Sequence, residues 1–372
     1  MLPYFDKTEL KMRIYLSRYL LLISNFFEIT LCLIKGLVPN RYIKKFPEPF
    51  SMSSIHTDTV ILITGLFIPV ITKLIIKTYL SYYPKTIIVY VTWETEKYKA
   101  SVLSDLNVKL IYLPDEVKSI NGNTDKQIYN VSKGLEFIKK EYPLVRYVLK
   151  NRSDQIALHF DAISLLKSTL LHFSADEEKM ITTSGSTGKF RFFMIGDQFQ
   201  FAKIETLIDW WSVPDYQTGL KQLLNCHQVI EGLKLSGQCL KSENYIAFYN
   251  YWKQNPKHEY SLKSYINLIR QKIIVVDDES IYFRWYQNFH RQKIHQFINN
   301  YIYELSFTTQ SKDRAGCNLN HLEWLEIISQ NDVYIIDKYK NFSLEKWIVS
   351  THQLDENHVT KIIDSGGQYV DR

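Results

Sequence analysis

The chain has 372 residues, 45% hydrophobic and 23% charged, enough to bury the core of one large domain or two modest ones. Its 13 Gly and 10 Pro leave little material for disordered linkers. A net charge of +6 is not the concentrated basicity of a nucleic-acid binder, so nucleic acid is not an expected partner. Cys32, Cys226, Cys239 and Cys317 form no CxxC pair or zinc spacing and read as reduced thiols of a cytosolic protein.

Residues 1–54 are expected to form a basic, largely helical extension. Up to residue 50, eight Lys or Arg stand against four acids, which accounts for four of the six net charges. Tyr19 to Ile34 is apolar apart from Glu28 and a few small polar residues, and is flanked by Arg18 and Lys35. A spanning helix needs about 20 mostly apolar residues, so this run is too short and interrupted. No small-residue cleavage site follows it. Two readings remain: a basic amphipathic helix lying on an anionic membrane surface, or a helix packed on the main domain.

Residues 55–285 alternate strand-like and helix-like segments at βα spacing. Val60 to Leu66 predicts a first strand, and Lys73 to Tyr83 a helix stopped by Pro84. Thr86 to Thr92 predicts a second strand ending in Trp93-Glu94, followed by a short helix over Lys97 to Asp105. Val108 to Leu113 predicts a third strand, and Thr124 to Glu141 a long helix opening from an Asn-rich loop. Tyr147 to Asp154 is a buried strand that runs abruptly into Lys150, Asn151, Arg152, Ser153 and Asp154. Crossovers that return each strand parallel to the last build an α/β fold, a sheet with helices on both faces.

Further along, Asp161 to His172 predicts a helix, Met180 to Thr183 a strand, and Phe190 to Ile195 another strand before Gly196-Asp197-Gln198. Lys272 to Val276 predicts a late strand closed by Asp277-Asp278-Glu279, and residues 286–372 read as mainly helical, for example Leu322 to Ser329.

Open α/β sheets bind ligands at the carboxyl ends of their strands. Side chains two apart on a strand point the same way, so Arg152 and Asp154 are expected at one site. A cation for phosphate then meets a carboxylate for a metal or a sugar hydroxyl, the outline of a nucleotide-sugar site. The alternative is an ion pair at a strand end, against which Lys150 adds a second cation suited to a diphosphate. Asp197 lies between Phe192-Phe193-Met194-Ile195 and Phe199-Gln200-Phe201, where burial would push its carboxyl up toward the range of a general base. A turn Asp bonding nearby amides is the competing reading. Glu243 is a second candidate base against the default of a solvated acid at a helix start. Thr182 to Lys189 resembles a phosphate loop only superficially; its glycine spacing fits a plain hairpin turn. Asp277-Asp278 could hold a metal or close a loop, and the ten His show no zinc-ligand spacing.

Several ordered pieces between Asp58 and Tyr245 resemble the WavE lipopolysaccharide-synthesis family of bacterial glycosyltransferase-like proteins. They are Thr64; Thr92-Trp93-Glu94; Gln127-Ile128 and Ser132-Lys133-Gly134-Leu135; Lys150 to Asp154; Gly196-Asp197-Gln198-Phe199; and Glu243-Asn244-Tyr245. Where that family usually shows Asn-Arg-Gln, this chain has Asp125-Lys126-Gln127. The resemblance implies a GT-A-like fold that transfers a sugar from a nucleotide-diphospho-sugar donor to a glycolipid or oligosaccharide acceptor of the bacterial surface; the basic amino-terminal helix adds the expectation of peripheral attachment to the cytoplasmic face of the inner membrane. The resemblance implies Thr64, Trp93 and Glu94 as donor contacts; Lys126, Gln127, Lys150 and Arg152 are also expected on the donor side, and Asp154, Asp197 and Glu243 in catalysis. Arg152 stands where such folds place the first Asp of Asp-x-Asp, so Mg2+ or Mn2+ at Asp154 and metal independence are both open. A sugar nucleotidyltransferase is the alternative enzyme, although Thr64-Gly65-Leu66-Phe67 has one Gly and no cation. A non-catalytic scaffold of a polysaccharide assembly complex is the alternative outside enzymes.

Overall fold

A computed structural model describes residues 56–69, 71–115, 117, 124–159, 161–188, 193, 195–215, 242–255, 262–278, 280–281, 283–285 and 319–340. The expected amphipathic helix over Tyr19 to Ile34 lies outside the described residues. Apart from Trp285, all described residues belong to one compact unit.

That unit is built on a seven-stranded sheet in the order β3-β2-β1-β4-β7-β6-β8. The strands are β1 (Thr59–Thr64), β2 (Ile87–Trp93), β3 (Lys109–Leu113), β4 (Tyr147–Arg152), β6 (Met180–Thr183), β7 (Gln200–Lys203) and β8 (Ile273–Val276). A short β5 (Gln155–Ala157) pairs with β9 (Phe283–Trp285) in a separate two-stranded sheet. Neighbours in the large sheet run parallel except at β7, which is antiparallel to both β4 and β6. The α/β class with a mostly parallel sheet is therefore what the chain forms. β1 and β4 are buried along almost their whole length, which is why they read as continuous apolar runs without alternation.

Helices cover both faces. On one side lie α3 (Thr124–Glu141) and α5 (Ile204–Trp211); on the other lie α1 (Ile71–Tyr82) and α4 (Ala162–Phe173). A four-residue α2 (Lys97–Ala100) follows β2. α3 closes on the sheet through Gly134, where an added Cβ would meet Leu62 Cδ1 at 2.8 Å and Val91 Cγ2 at 3.0 Å. On the opposite face the buried Tyr79 hydroxyl of α1 accepts from Asn151 Nδ2 at 3.0 Å and from the Ala157 amide at 3.1 Å, tying β4 to β5. α4 begins at Asp161, whose carboxylate caps it by accepting from the Ser164 amide.

α6 (Ser242–Gln254) and α7 (Leu262–Lys272) precede β8, and α8 (His321–Ser329) and α9 (Asp332–Lys340) follow it. α8 packs back on the sheet: Trp324 is buried, its indole donates to the Ile273 carbonyl, and Phe173 of α4 meets it edge to face. An Asn320–Glu323 capping box starts α8. Arg270 of α7 donates to the Ile327 and Gln330 carbonyls and pairs with Asp332, clamping α8 and α9.

One expected strand does not form at its described residues. In Phe190 to Ile195, Phe193 lies in a turn at φ 61 and Ile195 is in no strand; the other four residues lie outside the described set. The next strand along the chain, antiparallel to β6, is β7, and the connection between them is far longer than a hairpin turn. Phe193 is buried instead among Phe248, Tyr251 and Tyr265, with ring centroids 5.4, 5.4 and 5.5 Å away. An aromatic cage can demand the same apolar run as a strand.

Candidate active site

The sheet order reverses at β1: the chain moves outward through β2 and β3, then returns to place β4 on the other side of β1. Such a switch point opens a crevice at the carboxyl ends of the two strands flanking it. Here those ends are Thr64 and Arg152, which are register partners. The loops beyond them are stitched together. The Ser153 amide donates to the Thr64 carbonyl at 2.9 Å, and the Ser153 hydroxyl donates to the Leu66 carbonyl at 2.7 Å. Thr72 Oγ1 donates to the Ser153 carbonyl at 3.1 Å.

Gly65 makes this closeness possible. Its φ is +125, and a Cβ there would lie 2.9 Å from Ser153 Oγ. Gly65→Ala is expected to cost about 1–3 kcal/mol, because Ala is strained at that φ and must also push the Ser153 turn away. Urea unfolding measures the loss; an unchanged midpoint would mean the turn yields freely.

β4 ends at Arg152, and Ser153-Asp154 turn the chain into β5, so Asp154 sits just past the strand. The two residues expected at one site do meet. Arg152 Nε donates to Asp154 Oδ1 and its terminal nitrogen to Oδ2, both at 3.0 Å, a bidentate pair. The carboxylate is the enclosed partner, 3% exposed, against 29% for the guanidinium.

Lys150 is fully buried. Its Nζ donates to the Asp197 carbonyl and lies 5.0 Å from the Trp211 ring centroid. Burial pulls the ammonium down to about 8, with the pull of Asp197 and Asp154 opposing and Arg152 assisting. Lys150, Arg152, Asp154 and Asp197 therefore form one interacting group of two cations and two carboxylates. Lys150, expected on the donor side, is enclosed here and holds the main chain at Asp197.

Asp197 stands in the loop that enters β7 beside β4, and is 4% exposed. Its Oδ2 accepts from Gln127 Nε2 of α3 at 2.6 Å. The loop backbone is anchored from several elements. Gly196 O accepts from Thr182 Oγ1 and Gln200 Nε2, and the Gly196 amide donates to Thr187 Oγ1. Gln198 Oε1 accepts from Gln155 Nε2, and Gln200 Oε1 accepts from the Trp211 indole. Apart from the local Gln200–Gly196 bond, these anchors are not legible in the sequence, because they join residues from separate elements and carry no local spacing. Gly65 is the exception: a lone Gly directly after a buried strand is a signal for positive φ.

The remaining candidates divide. Trp93 is buried at the end of β2, with Lys126 Nζ 5.2 Å from its ring centroid and Tyr129 stacked at 6.4 Å. Thr64 is also buried, its hydroxyl 3.5 Å from the Asn151 carbonyl. Glu94 turns to Lys97 in an exposed ion pair at 2.8 Å. Residue 243 lies in α6, and the Glu243 side chain is outside the described residues. Asp277 and Asp278 close loops: Asp277 Oδ1 accepts from the His321 amide and Asp278 Oδ1 from the Gly185 amide.

A hard divalent cation takes six or so oxygen ligands. Asp154 offers one carboxylate with both oxygens bonded to Arg152, and no group of three His, Cys, Asp or Glu is placed to hold a metal among the described residues. These residues do not by themselves make a metal cradle.

No family model matches the chain, and no curated protein matches it. Solved structures similar to it include a glycosyltransferase involved in the glycosylation of the major capsid of PBCV-1, at 10% identity over 59% of this chain and 81% of that one, TM-score 0.32. Mouse xyloside xylosyltransferase 1 is similar at 10% identity over 55% and 85%, TM-score 0.32. The 4-diphosphocytidyl-2C-methyl-D-erythritol synthase of Anaerococcus prevotii is similar at 11% identity over 53% and 98%, TM-score 0.28. These likenesses carry no residue-level correspondence, so the chemistry has to come from the site itself.

Proposed function

We propose that the chain is a GT-A-like glycosyltransferase that moves a sugar from a nucleotide-diphosphate donor to a hydroxyl of a lipopolysaccharide, lipooligosaccharide or capsule oligosaccharide. The observation that carries this is the Arg152–Asp154 pair at the end of β4, beside the switch point, with buried Lys150 interacting with the pair and with Asp197. In transfer, the bond from the anomeric carbon to the diphosphate oxygen breaks, and one to the acceptor oxygen forms. Positive charge develops on the sugar and negative charge on the departing diphosphate. Arg152, the more exposed partner, supplies the cation for the diphosphate where an Asp-x-Asp site would use Mg2+ or Mn2+. Asp154 receives sugar hydroxyls as the guanidinium turns to the phosphates. Asp197 takes the acceptor proton if the reaction inverts, with Glu243 second. Thr64, Trp93, Glu94 and Lys126 form the donor side.

The test is a panel of nucleotide sugars with and without Mg2+ or Mn2+. Release of nucleoside diphosphate from one donor supports transfer, whereas pyrophosphate formation from a sugar phosphate and a nucleoside triphosphate supports the nucleotidyltransferase. Binding without turnover supports a scaffold. The surface-polysaccharide acceptor rests on the WavE resemblance.

Attachment to the cytoplasmic face of the inner membrane through the basic residues 1–54 is part of the same proposal. No helix among the described residues is long and apolar enough to cross a membrane. Full-length protein is expected to float with anionic liposomes at low salt and to leave them at high salt; protein that stays in the soluble fraction at low salt would refute it.

A further inference from the structure

Gln127 stands at the first turn of α3, one residue from Lys126, which covers Trp93. It is expected on the donor side, and its amide is engaged with Asp197. Nε2 donates to Asp197 Oδ2 at 2.6 Å, a short charge-assisted bond to a carboxylate 4% exposed. The main chain of the Asp197 loop has its own anchors: Lys150 on the Asp197 carbonyl, Thr182 and Gln200 on the Gly196 carbonyl, and Thr187 on the Gly196 amide. Those bonds fix where the loop lies. They do not fix the rotation of the Asp197 side chain, whose hydrogen-bond partner among the described residues is Gln127.

We infer that Gln127 is a positioning residue: its amide holds one oxygen of Asp197 and so fixes the direction of the other toward the acceptor hydroxyl. The inference rests on the transfer reaction proposed above. An amide suits the task because it donates without competing for the proton that the carboxylate must accept. A glutamate in its place would set two carboxylates in contact, and they would have to share a proton. Through α3 the donor side at Trp93 and Lys126 is joined rigidly to the proposed base.

The test is a double-mutant cycle of Gln127→Leu and Asp197→Ala on the full chain, read as kcat and donor KM. Gln127→Leu is expected to lower kcat roughly 10- to 100-fold with donor KM within about 2-fold, since misorienting a reacting group costs this much. In the Asp197→Ala background the same substitution is expected to change kcat by less than about 2-fold, because residues that act as a unit are non-additive. A donor contact would instead raise donor KM in both backgrounds, which overturns the inference, as does full additivity in kcat.

Nuclear magnetic resonance of the Gln127 side-chain amide gives a readout independent of activity. Its proton signal is expected downfield in the wild type and to return to the ordinary position in Asp197→Ala. If the wild type turns over no donor, the transfer proposal fails by itself, and the amide signal alone then decides whether Gln127 holds Asp197. An unmoved signal refutes the inference.

Discussion

Asp154→Ala protein is expected to stay folded and to lose nucleotide-sugar turnover by roughly 100- to 1,000-fold, the range for removing one preorganised group from a charge-stabilising site. The pair is asymmetric, and the asymmetry makes the effects on rate and stability separable. Asp154 is 3% exposed and Arg152 29%, so removal of the carboxylate leaves a guanidinium that can turn to water. Removal of Arg152 leaves a buried carboxylate without its bidentate partner. Stripping one partner from a buried pair costs about 3–5 kcal/mol, so Arg152→Ala should approach that range while Asp154→Ala falls well short of it. Arg152→Lys keeps the charge but not the two parallel bonds, and is expected to behave nearer to Ala than to wild type in rate. Urea unfolding and single-turnover donor cleavage, run on the same preparations, read the two effects apart. Wild-type speed in Asp154→Ala would remove this carboxylate from the reaction, and equal stability loss in both Ala variants would contradict the asymmetry.

The second large effect concerns Lys150 and pH. Burial lowers its ammonium from 10.5 to about 8 in the folded chain. Between those values the unfolded chain holds a proton that the folded chain has released, so stability rises with pH across this window. Below about pH 8 the lysine is charged in both states and the cost of burying that charge is fully present. Between pH 7.5 and 9.5 the gain amounts to about 2 kcal/mol. Other groups act in the opposite sense at higher pH: buried Tyr79, Tyr83 and Tyr90 are all pushed up by burial, and their unfolded counterparts begin to ionise near 10. Comparison with Lys150→Met cancels them. The stability of wild type relative to Lys150→Met is expected to climb by about 2 kcal/mol between the two pH values. A constant difference would show that Lys150 keeps its proton throughout.

The pH effect also separates two parts for Lys150. A lysine reaching a diphosphate would titrate with the donor bound and mainly move donor KM. An enclosed lysine bonded to the Asp197 carbonyl acts on the loop that carries Asp197.

Much of the sheet is legible in the sequence because its central strands are buried on both faces. Thr59–Thr64 and Tyr147–Arg152 leave unbroken apolar runs, and the helix between β3 and β4 spans Thr124–Glu141, opening from its Asn-rich start as expected. β7 is not legible. It has four residues, follows a polar loop, and runs antiparallel in a sheet whose other neighbours are parallel. The longer apolar run just before it competes for the same reading, and only packing of Phe193 against α6 and α7 distinguishes a buried turn from a strand.

The candidate site divides in the same way. Arg152 and Asp154 are two positions apart at a strand end, and the turn that follows Arg152 brings them together within a local stretch of chain. The partners of Asp197 are Gln127, 70 positions earlier, and Lys150, 47 positions earlier. No periodicity reaches so far. By itself the sequence determined the α/β class, the central strands and the charged strand end, because these follow from local burial and local spacing. The tertiary structure alone decided that Lys150 is enclosed, that Gln127 holds Asp197 and that β7 reverses direction. Each of these depends on which elements the folded sheet sets side by side, and chain separation leaves no trace of that in the order of residues.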